Sequence, residues 1–153
     1  MKSSWLSAVV MLLAFLLGGC SYQEKMRNGY YTAEAIGYDA DGWKEFITIY
    51  VSDNSLVTVE YNARNSCGFI QSWDLAYQRR IKAATGMYPG EYWRIYADEL
   101  RTRQNPDEII AVRGVEHQHK IFLLLAKAAI AQAKTKDKNI AFVDLTGIRT
   151  ENR

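Results

Sequence analysis

The chain has 153 residues, with 19 Lys and Arg against 17 Asp and Glu and a formal charge of +2 at neutral pH. That length fits a single domain around one core. Charges of both signs are interspersed, which excludes the electrostatic footprint of a nucleic-acid binder and leaves no Lys/Arg block for an anionic membrane surface.

Met1 and Lys2 open a short basic region, and the run from Trp5 to Leu17 carries no charge. This is a secretory signal of ordinary length, too short to serve as a spanning helix in the mature protein. Leu17-Gly18-Gly19-Cys20 resembles a bacterial lipobox, in which the cysteine thiol is acylated and cleavage falls just before it. Residues 1–19 are therefore expected to be a lipoprotein signal peptide and Cys20 the lipidation site, bearing palmitate-type chains. Several acyl chains, at about 0.8 kcal/mol per buried methylene, hold a protein on a membrane without crossing it. The alternative is an ordinary signal peptide whose Cys20 pairs with Cys67. If Cys20 is acylated, Cys67 stands alone, and a lone thiol of this kind is most often a buried small hydrophobe. Ser21 lacks the aspartate that commonly retains lipoproteins at the inner membrane, so the localisation expected is extracytoplasmic, on the cell membrane or the outer membrane. Residues 20–28 are polar and aperiodic, a short tether.

The folded domain is expected over residues 29–134. Gly29 to Ala35 is aromatic and β-compatible, a first strand. Asp39, Asp41 and Gly42 supply turn chemistry; they resemble the start of a calcium loop but lack its later ligands. In the next run Ile47, Ile49 and Val51 share one face and Phe46, Thr48 and Tyr50 the other, and after a four-residue polar turn Val57, Val59 and Tyr61 alternate with Thr58 and Glu60. These runs predict a β-hairpin. Ser72 to Ala84 predicts a helix with Ser72 as N-cap and Gly86 as its terminal glycine. A second helix starts at Pro89 and ends before Asn105-Pro106, with Tyr92, Trp93 and Tyr96 as core. Glu108 to Val112 reads as a short edge strand. A third helix runs from about His117 to Lys134, with an apolar stripe of Ile121, Leu124, Leu125, Ala128 and Ala131. Residues 135–153 form a C-terminal tail whose run Ile140 to Leu145 adds a strand or stays loose. The order predicts an α+β fold: a small antiparallel sheet built around a hairpin and packed with about three helices.

"NGYYTAEA", "DADGWKEFITIYVSDNSLVTVEYN", "AYQRRIKAATGMYPGEYWRIYADEL" and "NPDEIIAV" resemble, in order and spacing, the extracytoplasmic FMN-binding domain family, closest to its membrane-anchored lipoproteins known as major membrane immunogens. The resemblance covers residues 28–134. It implies an FMN-binding domain-like fold and a role as a flavin-dependent electron-transfer accessory, with an envelope redox protein as partner. In that family Asp-x-x-Ser/Thr-Gly-Ala-Thr follows the last strand, and the threonine hydroxyl is joined to the phosphate of FMN. Carried onto this chain, the motif places Ile110 at the aspartate, Arg113 at the serine, Gly114 at the glycine, Val115 at the alanine and Glu116 at the threonine. Glu116 has no hydroxyl to esterify, and its carboxylate repels a phosphate dianion, which argues against covalent FMN. Arg113 beside Gly114, at a helix start, keeps noncovalent FMN open, since a guanidinium and helix N–H groups bind phosphate. The other reading pairs Arg113 with Glu116 or leaves it solvated.

Glu116, His117 and His119 are zinc-ligand types. On a helix, positions two apart face different ways; in an extended segment the two histidines share a face but have no assured supporting groups. No metal site is assigned. There is no nucleophile elbow and no phosphate-cradling glycine loop, and the adjacent carboxylates Asp98-Glu99 and Asp107-Glu108 diverge, so no enzyme is expected. Two functions stand: a lipoprotein redox module with noncovalent flavin, and a cofactor-free lipoprotein acting as a binding or structural component of the envelope. The expected partner is the membrane, through the lipid anchor; the protein is expected to be a monomer and to bind no nucleic acid.

Overall fold

The computed structural model describes residues 24–150. The signal segment, Cys20, residues 21–23 of the tether and residues 151–153 lie outside the described residues.

Four strands, β1 (Gly29–Ala35), β2 (Lys44–Ser52), β3 (Ser55–Arg64) and β4 (Ala141–Val143), form one sheet in the order β3-β2-β1-β4. The hairpin pairs Ile47 with Tyr61 and Ile49 with Val59, in the expected facing, and turns through Asp53 and Asn54, both at positive φ. A β-bulge at Tyr50/Val51 shifts the register so that Val51 faces Leu56. The α+β class is as read. The antiparallel sheet has one departure: β4 runs parallel to β1, pairing Ala33 with Ala141 and Ala35 with Val143. The strand left open in the tail therefore forms, and with Leu145 fully buried the folded unit continues past residue 134.

The helices α1 (Leu75–Thr85), α2 (Pro89–Arg103) and α3 (Glu116–Thr135) are followed by a single turn, α4 (Thr146–Thr150). α1 is capped by Asp74, whose Oδ1 accepts the Tyr77 N–H at 2.9 Å, and ends at Gly86 with φ 82°. Ser72 is not the cap, because Gln71–Trp73 closes as a 3-10 turn and delays the helix. α2 begins at Pro89, as its fixed φ favours, and buries Tyr92, Trp93, Tyr96 and Leu100.

α3 buries Ile121, Phe122, Leu125, Ala126, Ala129 and Ala133, while Leu124 is exposed and Ala131 faces solvent. Ile121 and Leu125 of the expected stripe are buried and Ala128 is half-buried, whereas Leu124 and Ala131 lie off the buried face, which instead takes in Phe122, Ala126, Ala129 and Ala133. Phe122 carries the seam, stacking on Tyr96 (5.3 Å between centroids) and meeting Tyr61 edge-on (5.1 Å), and the alanines after it let the helix lie close against the strands. Each large apolar side chain sealed in this way contributes about 1.5–3 kcal/mol.

On the opposite face of the sheet, cross-strand pairs are polar or aromatic. The Thr32 and Thr48 hydroxyls lie 2.9 Å apart, and the Tyr30 and Tyr50 rings 4.6 Å apart. Glu34, 1% exposed, is held between Lys44 and Arg64.

Three further expectations change. Glu108 to Val112 is not a strand: Pro106–Glu108 is a 3-10 turn and the chain continues as a loop. Cys67 is exposed rather than buried, in a turn organised by Asn65, whose Oδ1 accepts the N–H groups of Cys67 and Phe69. Residues 26–28 are docked rather than loose: the Met26 N–H donates to Asn54 Oδ1 and that of Arg27 to Ala133 O, and Asn28 Oδ1 accepts from Asp53 N–H.

Candidate functional site at the start of the third helix

The loop from Ile109 to Val115 passes from the 3-10 turn into α3 and is fastened from beneath by α2. The Tyr96 hydroxyl, buried in the core, accepts the Val112 N–H at 3.1 Å and reaches Val115 O at 3.4 Å. Burial, the largest cause, raises the pKa of this phenol despite the Val112 hydrogen bond. His119 packs its ring 5.5 Å from that of Tyr96 and sets Nε2 2.8 Å from Ile109 O. One imidazole and one phenol thus satisfy backbone groups on both sides of the loop. The chain can bury Ile109 and Val115 here without orphaned amides.

Within the loop Gly114 adopts φ 86°, a left-handed conformation that a side chain would strain. It turns the chain so that its N–H donates to Glu116 Oε1 at 3.0 Å. That bond is the main reason the Glu116 carboxyl is held below its usual pKa; its own backbone N–H adds to this, and the charge of Arg113 contributes least. Arg113 is exposed. Ile110, at the position of the motif's aspartate, is 79% exposed and so is no buried anchor.

The structure brings Arg113, Gly114, Val115 and Glu116 together at one helix start, as the sequence placed them. Their arrangement does not fit esterified FMN. The threonine position carries a carboxylate, and that carboxylate takes the backbone N–H that a phosphate needs. His119 is occupied as a structural strut. Among the described residues, no group of three or more His, Cys, Asp or Glu is placed to hold a metal ion. Sequence reasoning missed Tyr96 as the residue that organises the loop, because its spacing marks it only as core.

The Asp39 turn is confirmed in detail. Asp39 Oδ1 accepts the N–H groups of Asp41 and Trp43, and Asp41 pairs with Arg80 at 3.0 Å.

The fold and this helix start define a small α+β domain, and comparison with known proteins gives it a family. Over 128 residues the chain is 31% identical to the 15 kDa lipoprotein of Treponema pallidum (strain Nichols), spanning 84% of this chain and 90% of the relative. The chain belongs to the family of that lipoprotein. No family model matches it. Among solved structures, a crystal structure of a Clostridium perfringens protein superposes with a TM-score of 0.73 at 26% identity, covering 78% of this chain and 98% of that one. A solution structure from Clostridium thermocellum, at 23% identity and a TM-score of 0.50, covers 75% of this chain and 95% of that one and bears on the fold alone. No helix among the described residues is long and apolar enough to cross a membrane.

Proposed function

We propose that the protein is an extracytoplasmic lipoprotein, acylated at Cys20, that acts as a non-catalytic binding component of the cell envelope and carries no FMN. The observation that supports the flavin-free reading over the redox one is the Glu116 carboxylate on the Gly114 N–H. In the FMN-binding domain family that the chain resembles, a hydroxyl stands at this position, and here the anion seat is filled by the chain's own anion. Arg113 is a solvated cation at the rim of a closed turn.

The lipidated reading draws on Leu17-Gly18-Gly19-Cys20 and on the lipoprotein relative. It also has a geometric consequence. Six peptide steps separate Cys20 from Met26, whose N–H is bonded to Asn54, so the docked end lies within about 20 Å of the acylated cysteine. The C-terminal end of α3 is at that end, through Ala133 O. Twenty residues of helix separate that end from Glu116 by about 30 Å along the helix axis, and in this proposal the helix start with Arg113 and Glu116 faces away from the bilayer.

Labelled palmitate fed to cells expressing the full chain, followed by titration of the purified protein with FMN, tests both halves. The proposal expects label that is lost in Cys20→Ala and no flavin uptake. Unlabelled protein contradicts the anchor, and saturable flavin binding contradicts the cofactor-free reading.

A further inference from the structure

All four helices reach the sheet from one side. Tyr77 of α1 meets Trp43, Trp93 of α2 and Phe122 of α3 meet Tyr61, and Arg149 of α4 holds Glu45. Tyr61 is in register with Ile47 on the buried face. The other face is left without a helix among the described residues, and its exposed side chains are largely apolar. Tyr30, 66% exposed, lies there against Tyr50, and on β4 Phe142, in register with Glu34, is 63% exposed. Ile140, two residues before Phe142 and 42% exposed, extends the stripe back toward Tyr30.

The stripe holds no charge that a contact would have to desolvate. Glu34, the acid beneath it, is buried and takes both Lys44 and Arg64, whose cations also lie 5.3 Å from the Tyr38 ring centre and 5.9 Å from that of Phe46. The exposed acids Glu60, on β3, and Asp144, after β4, stand outside it. At β3 the sheet's edge is closed at its start by the Gln104 side-chain amide on the Leu56 backbone and at its end by a bridge between Arg64 and Ile70. What the sheet leaves open here is a face.

The position of the anchor decides what covers that face. Tyr30 is ten peptide steps from Cys20, so the stripe begins within about 35 Å of the acylated cysteine even on a fully extended chain. Three strands wide and four residues long, it offers roughly 200 Å². A stable protein–protein contact takes about 800 Å² from each partner, so the stripe is too small to hold a second globular protein by itself. A tethered surface needs far less: with Cys20 acylated, the face meets the bilayer at an effective concentration of about millimolar order. Tyrosine suits that boundary, because its ring enters the apolar side while its hydroxyl stays wet.

We infer that the open sheet face, through Tyr30, Tyr50, Ile140 and Phe142, rests on the interfacial layer of the bilayer that carries the anchor. The ligand is the lipid surface itself, uncharged headgroups included, since nothing in the stripe selects an anion. The helices, with Arg113 and Glu116, stand on the opposite side of the sheet, away from the lipid. The inference rests on the lipidated reading and names the surface which that reading turns to the membrane.

The test uses the full acylated protein, isotope-labelled, in phosphatidylcholine nanodiscs with spin-labelled headgroups. The amides of Tyr30, Tyr50 and Phe142 are expected to lose signal as that of Met26 does, while Leu124, exposed on α3, keeps its signal. Tyr30→Glu with Phe142→Glu, both at exposed positions, is expected to restore the signals of Tyr50 and Ile140 and to leave Met26 broadened. Tyr30→Ser with Phe142→Ser, which adds no charge, is expected to act in the same direction. Protein that elutes with the discs but shows no loss at the face overturns the inference alone, whereas protein that does not elute with them overturns the anchor as well. A loss that both double variants leave unchanged also contradicts it. Shifts at these residues that need two copies per disc and no spin label make a second copy the occupant and likewise overturn it.

Discussion

The carboxylate of Glu116 accepts the backbone N–H of Gly114 at 3.0 Å, two residues before it in the chain. The bond closes the start of α3 with a charge of the sign that the helix dipole favours there. It also uses the donor on which a phosphate-binding loop depends.

The first prediction follows from that bond. Because the native hydrogen bond holds the Glu116 carboxyl below 4.5, its contribution to stability is present above that value and disappears as pH falls through the native pKa. Titration followed by side-chain carbon shifts should put the Glu116 midpoint below 4.5 in the native protein and return it to 4.5 in the denatured chain, where the bond is lost. A native midpoint at or above 4.5 contradicts the account.

Glu34 sits nearly sealed between two cations on the sheet. Lys44→Met or Arg64→Met alone leaves it one partner and should cost about 1 kcal/mol, whereas the double variant strands a buried charge and should cost about 3–5 kcal/mol. Denaturant melts of the four proteins in the cycle give the comparison. Strict additivity shows that the two cations act independently.

Tyr96→Phe keeps the ring but removes the hydroxyl shared by Val112 and Val115. It should destabilise the domain by about 1–2 kcal/mol. The amide of Val112 should exchange faster, while the sheet amides stay protected at the level the lower stability allows. An unchanged Val112 amide contradicts the role given to this phenol.

If Cys20 is acylated, the docking of residues 26–28 keeps that end of the domain near the bilayer. In nanodiscs with spin-labelled headgroups, broadening should be strong at Met26, Asn54 and Lys134 and weak at Arg113 and Glu116. The reverse pattern contradicts the orientation.

Much of this fold is legible in the chain wherever a local rule decides the outcome. The Ile47/Ile49/Val51 alternation, Pro89 at a helix start and Gly86 at a helix end each act through their own backbone or one side of it. Reading failed where distant contacts decide. Ser72 carries a good capping side chain but is drawn into a 3-10 turn, so Asp74 takes the role. Glu108 to Val112 has strand-like composition, yet Tyr96 and His119 satisfy its backbone from the side and no strand pairs with it. The helix-start residues could be placed by resemblance, but the short bond from Gly114 to Glu116 could not, because it depends on the positive φ of the glycine. The closing of the β3 edge by Gln104 joins residues 48 apart and leaves no local trace.

The central claim, a lipid-anchored protein without flavin, is tested most directly by making the full chain, with its own leader, in cells that have an active flavin transferase. Intact mass and visible absorbance are then recorded before and after denaturation. The account predicts a colourless protein whose mass beyond the chain from Cys20 is acyl groups alone. An added FMN mass that survives denaturation, or flavin absorbance released by it, contradicts that claim.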